Sequence, residues 1–484
     1  MEELDIAKVT RKSIKGVFAL TSRTFFIQIV SLISNLLLTI YLAPSVFGIF
    51  FVVSAAIAFL SYFSDIGLAA ALIQKKDQVT DKDLKTTFTI QQVLVLIIVA
   101  IALLGSNFIG KFYNLDSDGV LLFQVLSISF FLSSLKTIPS IILERNLDFS
   151  KLVIPQIVET LVFNTVAVVL ALKGFGVASF TAAVFLRGIT GLLTIYLISP
   201  WKIGIGFSLE SAKKLLSFGF PFQLNSFLAL VKDDLFIAYL GKVLPLAQVG
   251  YIGFAQKWAL MPLRLIMDNV IRITFPSFSR LQEEKEILTK AIEKSIFAAC
   301  FIIFPALTGL VILSPYFVHL IPKYIKWEPA LMSLFFFSIN AALSSVSTPL
   351  TNALNAIGKI KITLCLMVFW TIATWVLTPI LIIKIGFNGV AIASAIISLS
   401  VILVIYIVKR YLSFSVFNAV FYPLICTIIM GIVVYALSIV LGGSLFGIFV
   451  TILLGILVYF FAAYALAKER IKADILLIRQ SIRK

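Results

Sequence analysis

Between Gln256 and Arg272 the chain reads QKWALMPLRLIMDNVIR. Lys257, Arg264, Asp268 and Arg272 fall at i, i+7, i+11 and i+15, and at about 100° per residue they share one helical face. Trp258, Leu260, Leu263, Leu265, Ile266 and Ile271 occupy the others. A charge at the centre of a membrane helix costs roughly 2.5–3.5 kcal/mol to insert. Four facing lipid would cost on the order of 10 kcal/mol before any relief by snorkelling. The stripe must therefore face water or protein. Two arrangements satisfy this. One is a hydrated polar cavity whose cations receive an anion. The other is a structural ladder in which Arg264 and Arg272 each pair with Asp268, four residues away. The ladder offers no acid to Lys257, which favours the cavity.

Other ionisable residues fall inside apolar runs, where they are functional candidates by default. The basic ones are Arg23, Lys136, Arg187 and Lys232, and the acidic ones are Asp65, Glu159, Asp233 and Asp234. Arg23 and Asp65 lie in the inner halves of the first two spans and could pair. Glu159 is a partner within reach of Arg187. Asn225 and Lys232, seven apart, share a face of the seventh span, which also carries Gln223. Lys136, near the cytoplasmic end of the fourth span, is expected to snorkel. With the stripe included, basic groups outnumber acidic ones, so the interior field favours an anionic ligand.

The elements that position these residues follow from composition. The chain has 484 residues, 60% of them hydrophobic, with a mean hydropathy of +1.08 and 13% charged. No ordinary soluble domain has this balance. The charges cluster between apolar runs of spanning length, and the runs lack the alternation of a transmembrane barrel. The expected fold is an all-α polytopic membrane protein of about fourteen spans. Those used below are span two near 45–73, span four near 119–142, span seven near 211–240 and span eight near 246–275. The net charge of +17 then reflects orientation in the membrane, not nucleic-acid binding. Lys111, Lys173, Lys242, Lys323, Lys326 and Lys384 occupy the outer gaps, while the opposite side and both termini carry most of the 40 lysines and arginines. That asymmetry places both termini in the cytoplasm. No cleavable signal is expected at the basic N-terminus.

The chain also repeats. Lys173-Gly-Phe-Gly-Val-Ala178 recurs as Lys384-Ile-Gly-Phe-Asn-Gly-Val-Ala391. Gly48 with Asp65 is matched by Gly250 with Asp268, at an offset slightly above two hundred residues. An even number of spans in each half makes this a parallel repeat about an axis along the membrane normal. The expected lobes are 1–205 and 206–411, each of six helices, with two extra helices and a cytoplasmic tail in 412–484.

Motifs for chemistry are few. Gly105-Ser-Asn-Phe-Ile-Gly110-Lys111 fits part of a phosphate loop, but Phe112 stands where Ser or Thr is needed and no strand precedes it. His319, the sole histidine, reads as a surface residue of an outer loop. Cys300, Cys365 and Cys426 show neither metal spacing nor a disulfide framework. No soluble segment is large enough for an ATPase or a glycosyltransferase.

Five stretches carry a resemblance. They are Tyr41-Leu-Ala-Pro-Ser-Val-Phe-Gly48, Asp65-Ile-Gly-Leu68, Glu144-Arg-Asn-Leu-Asp-Phe149, Phe218-Gly-Phe-Pro-Phe222 and Asp234-Leu-Phe-Ile-Ala-Tyr-Leu-Gly241. In this order, over nearly the whole length, the chain resembles the Wzx-like polysaccharide-transport family of lipid-linked oligosaccharide flippases. Its superfamily also holds multidrug exporters and the lipid II flippase. The resemblance implies two lobes working by alternating access, a cationic cavity, no cofactor, and transport driven by a proton or sodium gradient. Its cargo would be an undecaprenyl-pyrophosphate-linked glycan, carried across a bacterial or archaeal cytoplasmic membrane by a monomer. A polysaccharide polymerase and a chain-length regulator are the partners it implies. Joined to the reading of the residues, Arg23, Arg187, Lys232, Lys257, Arg264 and Arg272 would hold the anionic cargo. Asp65 and Asp268 would couple or gate. The alternatives are a multidrug exporter of the same fold, which would want an acidic cavity, and a membrane polymerase, which would want a large outer loop.

Overall fold

A computed structural model describes the backbone of residues 6–482 except 76 and 78. Side chains are described for the same residues other than 6–21, 218, 220–222, 224–226, 229, 269, 272, 273, 275, 276 and 467–482. The described chain is helical throughout and divides into two compact units, 1–250 and 251–484. Among the described residues, twelve helical stretches are long and apolar enough to cross a membrane. The expected seventh and eighth spans, which carry Lys232, Asp233 and Asp234 and the Lys257–Arg272 stripe, include residues outside the described set and are not counted among the twelve.

The first unit contains α1 (Ile6–Tyr41), α2 (Pro44–Asp65), α3 (Leu68–Gln74), α4 (Asp81–Leu104) and α5 (Ser106–Tyr113). It continues with α6 (Ser117–Leu135), α7 (Thr137–Arg145), α8 (Phe149–Leu172), α9 (Ala178–Ile198), α10 (Leu209–Lys232) and α11 (Asp234–Val243). The long α12 (Leu246–Arg280) begins there and enters the second unit. Three expected spans of the first unit are therefore broken helices. Span two turns at Ile66 and Gly67, both with positive φ. Span four steps at Lys136, and span seven at Asp233.

Within this unit α8 packs between α1 and α9, α6 packs on α9, α2 and α4, and α11 lies along α2. Apolar burial drives little helix association in lipid, so close van der Waals approach has to supply it, and small residues permit that. Gly48 of α2 and Gly250 of α12 show why. A Cβ at Gly48 would lie 1.7 Å from the Leu246 carbonyl oxygen, and one at Gly250 would lie 2.0 Å from that of Pro44. At the other end of α2, a Cβ at Gly67 would sit 2.1 Å from the Gly219 carbonyl oxygen. Between these contacts, Gln223 Nε2 donates to the Tyr62 carbonyl at 2.8 Å, and the Tyr62 hydroxyl donates to the Gln223 carbonyl at 2.5 Å.

Arg145 explains one of the recognised stretches. Its guanidinium donates to the carbonyls of Leu72 at 2.6 Å, Ile73 at 3.2 Å, Lys75 at 2.9 Å and Asp77 at 3.3 Å. The last carbonyls of a helix have no partner within it, and here a cation from α7 satisfies those at the end of α3. Lys75 then pairs with Asp83 at 2.5 Å, the residue that closes a capping box with Thr80 at the start of α4.

The second unit continues α12 with α13 (Lys285–Leu320), a 3₁₀ turn (Tyr324–Ala330), α14 (Leu331–Ala356) and α15 (Ile360–Ile385). It ends with α16 (Asn388–Ser398), α17 (Val401–Lys409), α18 (Val416–Leu441) and α19 (Leu445–Ile482). Leu288, Ile292, Ile296 and Cys300 of α13 pack with Leu350, Leu354, Val404 and Val408. The last two helices pack on α13 as well, and Tyr459 donates to the Phe301 carbonyl at 2.7 Å. His319 lies in the last turn of α13, not in a loop, and its ring faces Glu328 at 3.9 Å. The two recurring turns, after α8 and after α15, both use glycines at positive φ, Gly174 (83°) and Gly386 (74°).

Candidate functional site

Four intramembrane charges of the first unit, Arg23, Lys136, Glu159 and Arg187, gather at α8. Gln156 and Glu159 are three residues apart on that helix, which makes them neighbours. Arg23 of α1 donates to Gln156 Oε1 and, at 3.1 Å, to Thr24 Oγ1. Glu159 Oε1 accepts from Lys136 Nζ at 2.6 Å, and Oε2 faces Arg187 Nε at 3.5 Å. Lys136 is available because the α6–α7 step occurs at that residue. Gly191, one turn beyond Arg187 on α9, makes room for the acid. A Cβ there would lie 2.0 Å from Glu159 Oε1. The Arg187 guanidinium also lies over the Phe163 ring, 5.9 Å from its centroid, and Phe163 belongs to an aromatic group with Phe50 and Phe180.

This corrects two expectations. Lys136 does not snorkel to the interface; it is the tighter partner of Glu159, and Arg187 is the looser one. Arg23 turns to Gln156, not to Asp65. Asp65, the last residue of α2, instead accepts from the Ala69 backbone N–H at 3.2 Å, across the left-handed turn into α3. Lys232 closes α10 beside the break at Asp233. The side chain of Asn225 lies outside the described residues.

In the second unit the α12 stripe is set differently. Lys257, Arg264 and Asp268 are exposed. Among the described residues no ion pair joins Arg264 to Asp268, so that rung of the expected ladder is not closed. The side chain of Arg272 lies outside the described residues. The apolar sides of α12 pack through Met267, Leu260, Leu263, Ile266 and Ile271 against Ala299, Ile303, Leu307 and Ala341.

Sequence reasoning missed Gln156, Gly191 and the Arg145 hook. The signal for the first two was local: Gln156 stands three residues before Glu159, and Gly191 four after Arg187. The Arg145 contacts reach back about seventy residues and left no local trace.

A family described as "Polysaccharide biosynthesis protein" matches residues 37–332. The chain is 26% identical over 423 residues to the lipopolysaccharide biosynthesis protein WzxC of Escherichia coli (strain K12), covering 82% of each chain. It is 25% identical over 388 residues to the teichuronic acid biosynthesis protein TuaB of Bacillus subtilis (strain 168), covering 78% of each. Among solved structures it is similar to the lipid II flippase MurJ in an inward closed conformation. The TM-score is 0.77 at 18% identity, over 93% of this chain and 99% of that one. It is also similar to an inward-facing multidrug resistance MATE family transporter of the MOP superfamily. There the TM-score is 0.61 at 18% identity, over 78% of this chain and 93% of that one. These likenesses establish the fold.

Proposed function

We propose, for a chain that belongs to the polysaccharide biosynthesis protein family, that it is a flippase moving a lipid-linked anionic glycan from the inner to the outer leaflet. The observation that carries this reading is the gathering of cations inside membrane-spanning helices: Lys136 and Arg187 on Glu159, with Arg23 on the neighbouring Gln156. A fixed positive field in a low-dielectric setting binds and orients an anionic headgroup. Lys232, Lys257, Arg264 and Arg272 extend the basic set. The cargo class is an undecaprenyl-pyrophosphate-linked repeat unit, in keeping with relatives named for lipopolysaccharide and teichuronic acid biosynthesis and with a fold shared with a lipid II flippase. Movement is by alternating access of two six-helix lobes, 1–205 and 206–411, driven by a proton or sodium gradient, with Asp65 and Asp268 as coupling groups. A glycan polymerase and a chain-length regulator would act on the exported product. The site is the bacterial cytoplasmic membrane with both termini inside.

The test is surface glycan in a strain lacking its own flippase, normalised to protein in the membrane. Restored glycan is the expected outcome. No restoration with any lipid-linked repeat unit, together with efflux of organic cations, would replace this reading with multidrug export. Reporter fusions check the orientation: cytoplasmic after Lys85, external after Gly174. Asp65→Asn and Asp268→Asn should each lower gradient-driven flipping more than protein level. Unchanged transport in both singles and in the double would remove them from the mechanism.

A further inference from the structure

The two contacts of Glu159 are unequal. Its bond to Lys136 is short, at 2.6 Å, and both side chains are largely buried, at 13% and 16% exposure. Its approach to Arg187 is looser, at 3.5 Å, and the arginine side chain is 53% exposed. An exposed arginine on a spanning helix is held toward water because lipid would penalise it, so an anion can reach Arg187 without disturbing Lys136. Arg23 lies one turn away on Gln156. Lys136 and Arg187 against Glu159 leave a net positive charge beside an exposed guanidinium, which suits a phosphate-bearing headgroup. The guanidinium fork also suits phosphate oxygens bidentately, whereas an ammonium offers a point charge.

On the flippase reading, we infer that Glu159 is a resident counter-anion. It holds Lys136 and Arg187 charged and ordered between cargoes, and an incoming lipid diphosphate displaces it from Arg187 while Lys136 stays bound to it. Uncompensated, two neighbouring cations inside a membrane-spanning bundle would repel and pull water or lipid headgroups inward. The carboxylate prevents this, and it competes with the cargo. That competition has a use: an anion held by bare arginine and lysine would leave slowly, and a returning carboxylate speeds its departure. Gly191 belongs to the device, because any Cβ at that position would overlap the carboxylate. Phe163 backs the arginine on its other side and keeps the guanidinium in place when the carboxylate lets go.

The experiment uses the full chain in nanodiscs, with farnesyl diphosphate as the probe and farnesol as the neutral control. The wild type should prefer the diphosphate. Glu159→Gln keeps the shape and removes the competitor, so affinity for farnesyl diphosphate should rise about fivefold to tenfold, a tenfold change being about 1.4 kcal/mol. Glu159→Asp should restore the wild-type value. Arg187→Gln should weaken binding, and the double variant should lose the gain, which locates the competition at Arg187. Export by Glu159→Gln should fall even though it binds more tightly. If that variant does not accumulate, Gly191→Ala serves instead, since it dislodges the carboxylate while every charge remains, and it too should tighten binding. A wild type that prefers the diphosphate, with Glu159→Gln or Gly191→Ala binding no tighter, overturns the counter-anion role alone. A wild type with no preference over farnesol overturns the diphosphate cargo, and this role with it.

Discussion

In the first unit Glu159 holds Lys136 at 2.6 Å and faces Arg187 at 3.5 Å. In the second unit Arg264 and Asp268 stand four apart on one helix and stay exposed without pairing. On paper the second pair looked the better one. An i,i+4 pair on an exposed helix is worth only about 0.3–0.5 kcal/mol, however, little enough that hydration competes with it. The first set comes from three separate segments, and its Lys136–Glu159 pair is largely buried, where leaving a charge without its partner is costly. Spacing along a helix therefore says which charges share a face. Burial decides which of them join.

The sharpest test of this contrast is truncation of each acid. Glu159→Ala strands Lys136 among packed helices and should cost about 3 kcal/mol of stability, read as a lower melting temperature of the purified protein. Asp268→Ala should stay within about 0.5 kcal/mol by the same assay. Equal losses would erase the distinction between the units. The next effect concerns a cation that serves backbone instead of an acid. Arg145→Ala removes the donor to four carbonyls and should cost about 2 kcal/mol. Arg145→Lys should recover only part, because an ammonium cannot spread over that set; proteolysis of the connection between α3 and α4 would show it.

Lys257→Glu places a like charge before an anionic cargo. It should reduce surface glycan about tenfold, or about 1.4 kcal/mol, at unchanged abundance, since an exposed side chain holds little of the fold. Normal export by this variant would take α12 out of the cargo path and leave the first-unit cluster to act without it. The smallest effect is expected at Tyr62→Phe, which deletes one of the two reciprocal bonds to Gln223 and should cost about 1 kcal/mol.

Much of the helical plan was legible because insertion cost depends on composition, and an apolar run of spanning length has few alternatives. The helix breaks were not. The break at Ile66 lies against Gly219 and the one at Lys136 places its ammonium on Glu159, partners that the local sequence does not mark. In the site, residue types marked which positions mattered, because charge in lipid is never incidental. Partners were harder to read. Lys136 near a span end looked like a residue reaching for the interface, and only its contact with Glu159 shows otherwise. Gly191 had no apparent purpose until a carboxylate filled the space beside it.

The crossing of Gly48 with Gly250 bears on how the protein is made. Ribosomes add roughly 5–20 residues per second, so about two hundred residues separate the emergence of α2 from that of its glycine partner, an interval of roughly 10–40 s. During that time the Gly48 face of α2 lies open to lipid or to the insertion machinery. A nascent chain halted before Leu246 cannot close this face, and one halted just beyond Gly250 can. The first unit thus becomes whole only when the opening turns of α12 arrive, and the helix that starts the second unit also finishes the first.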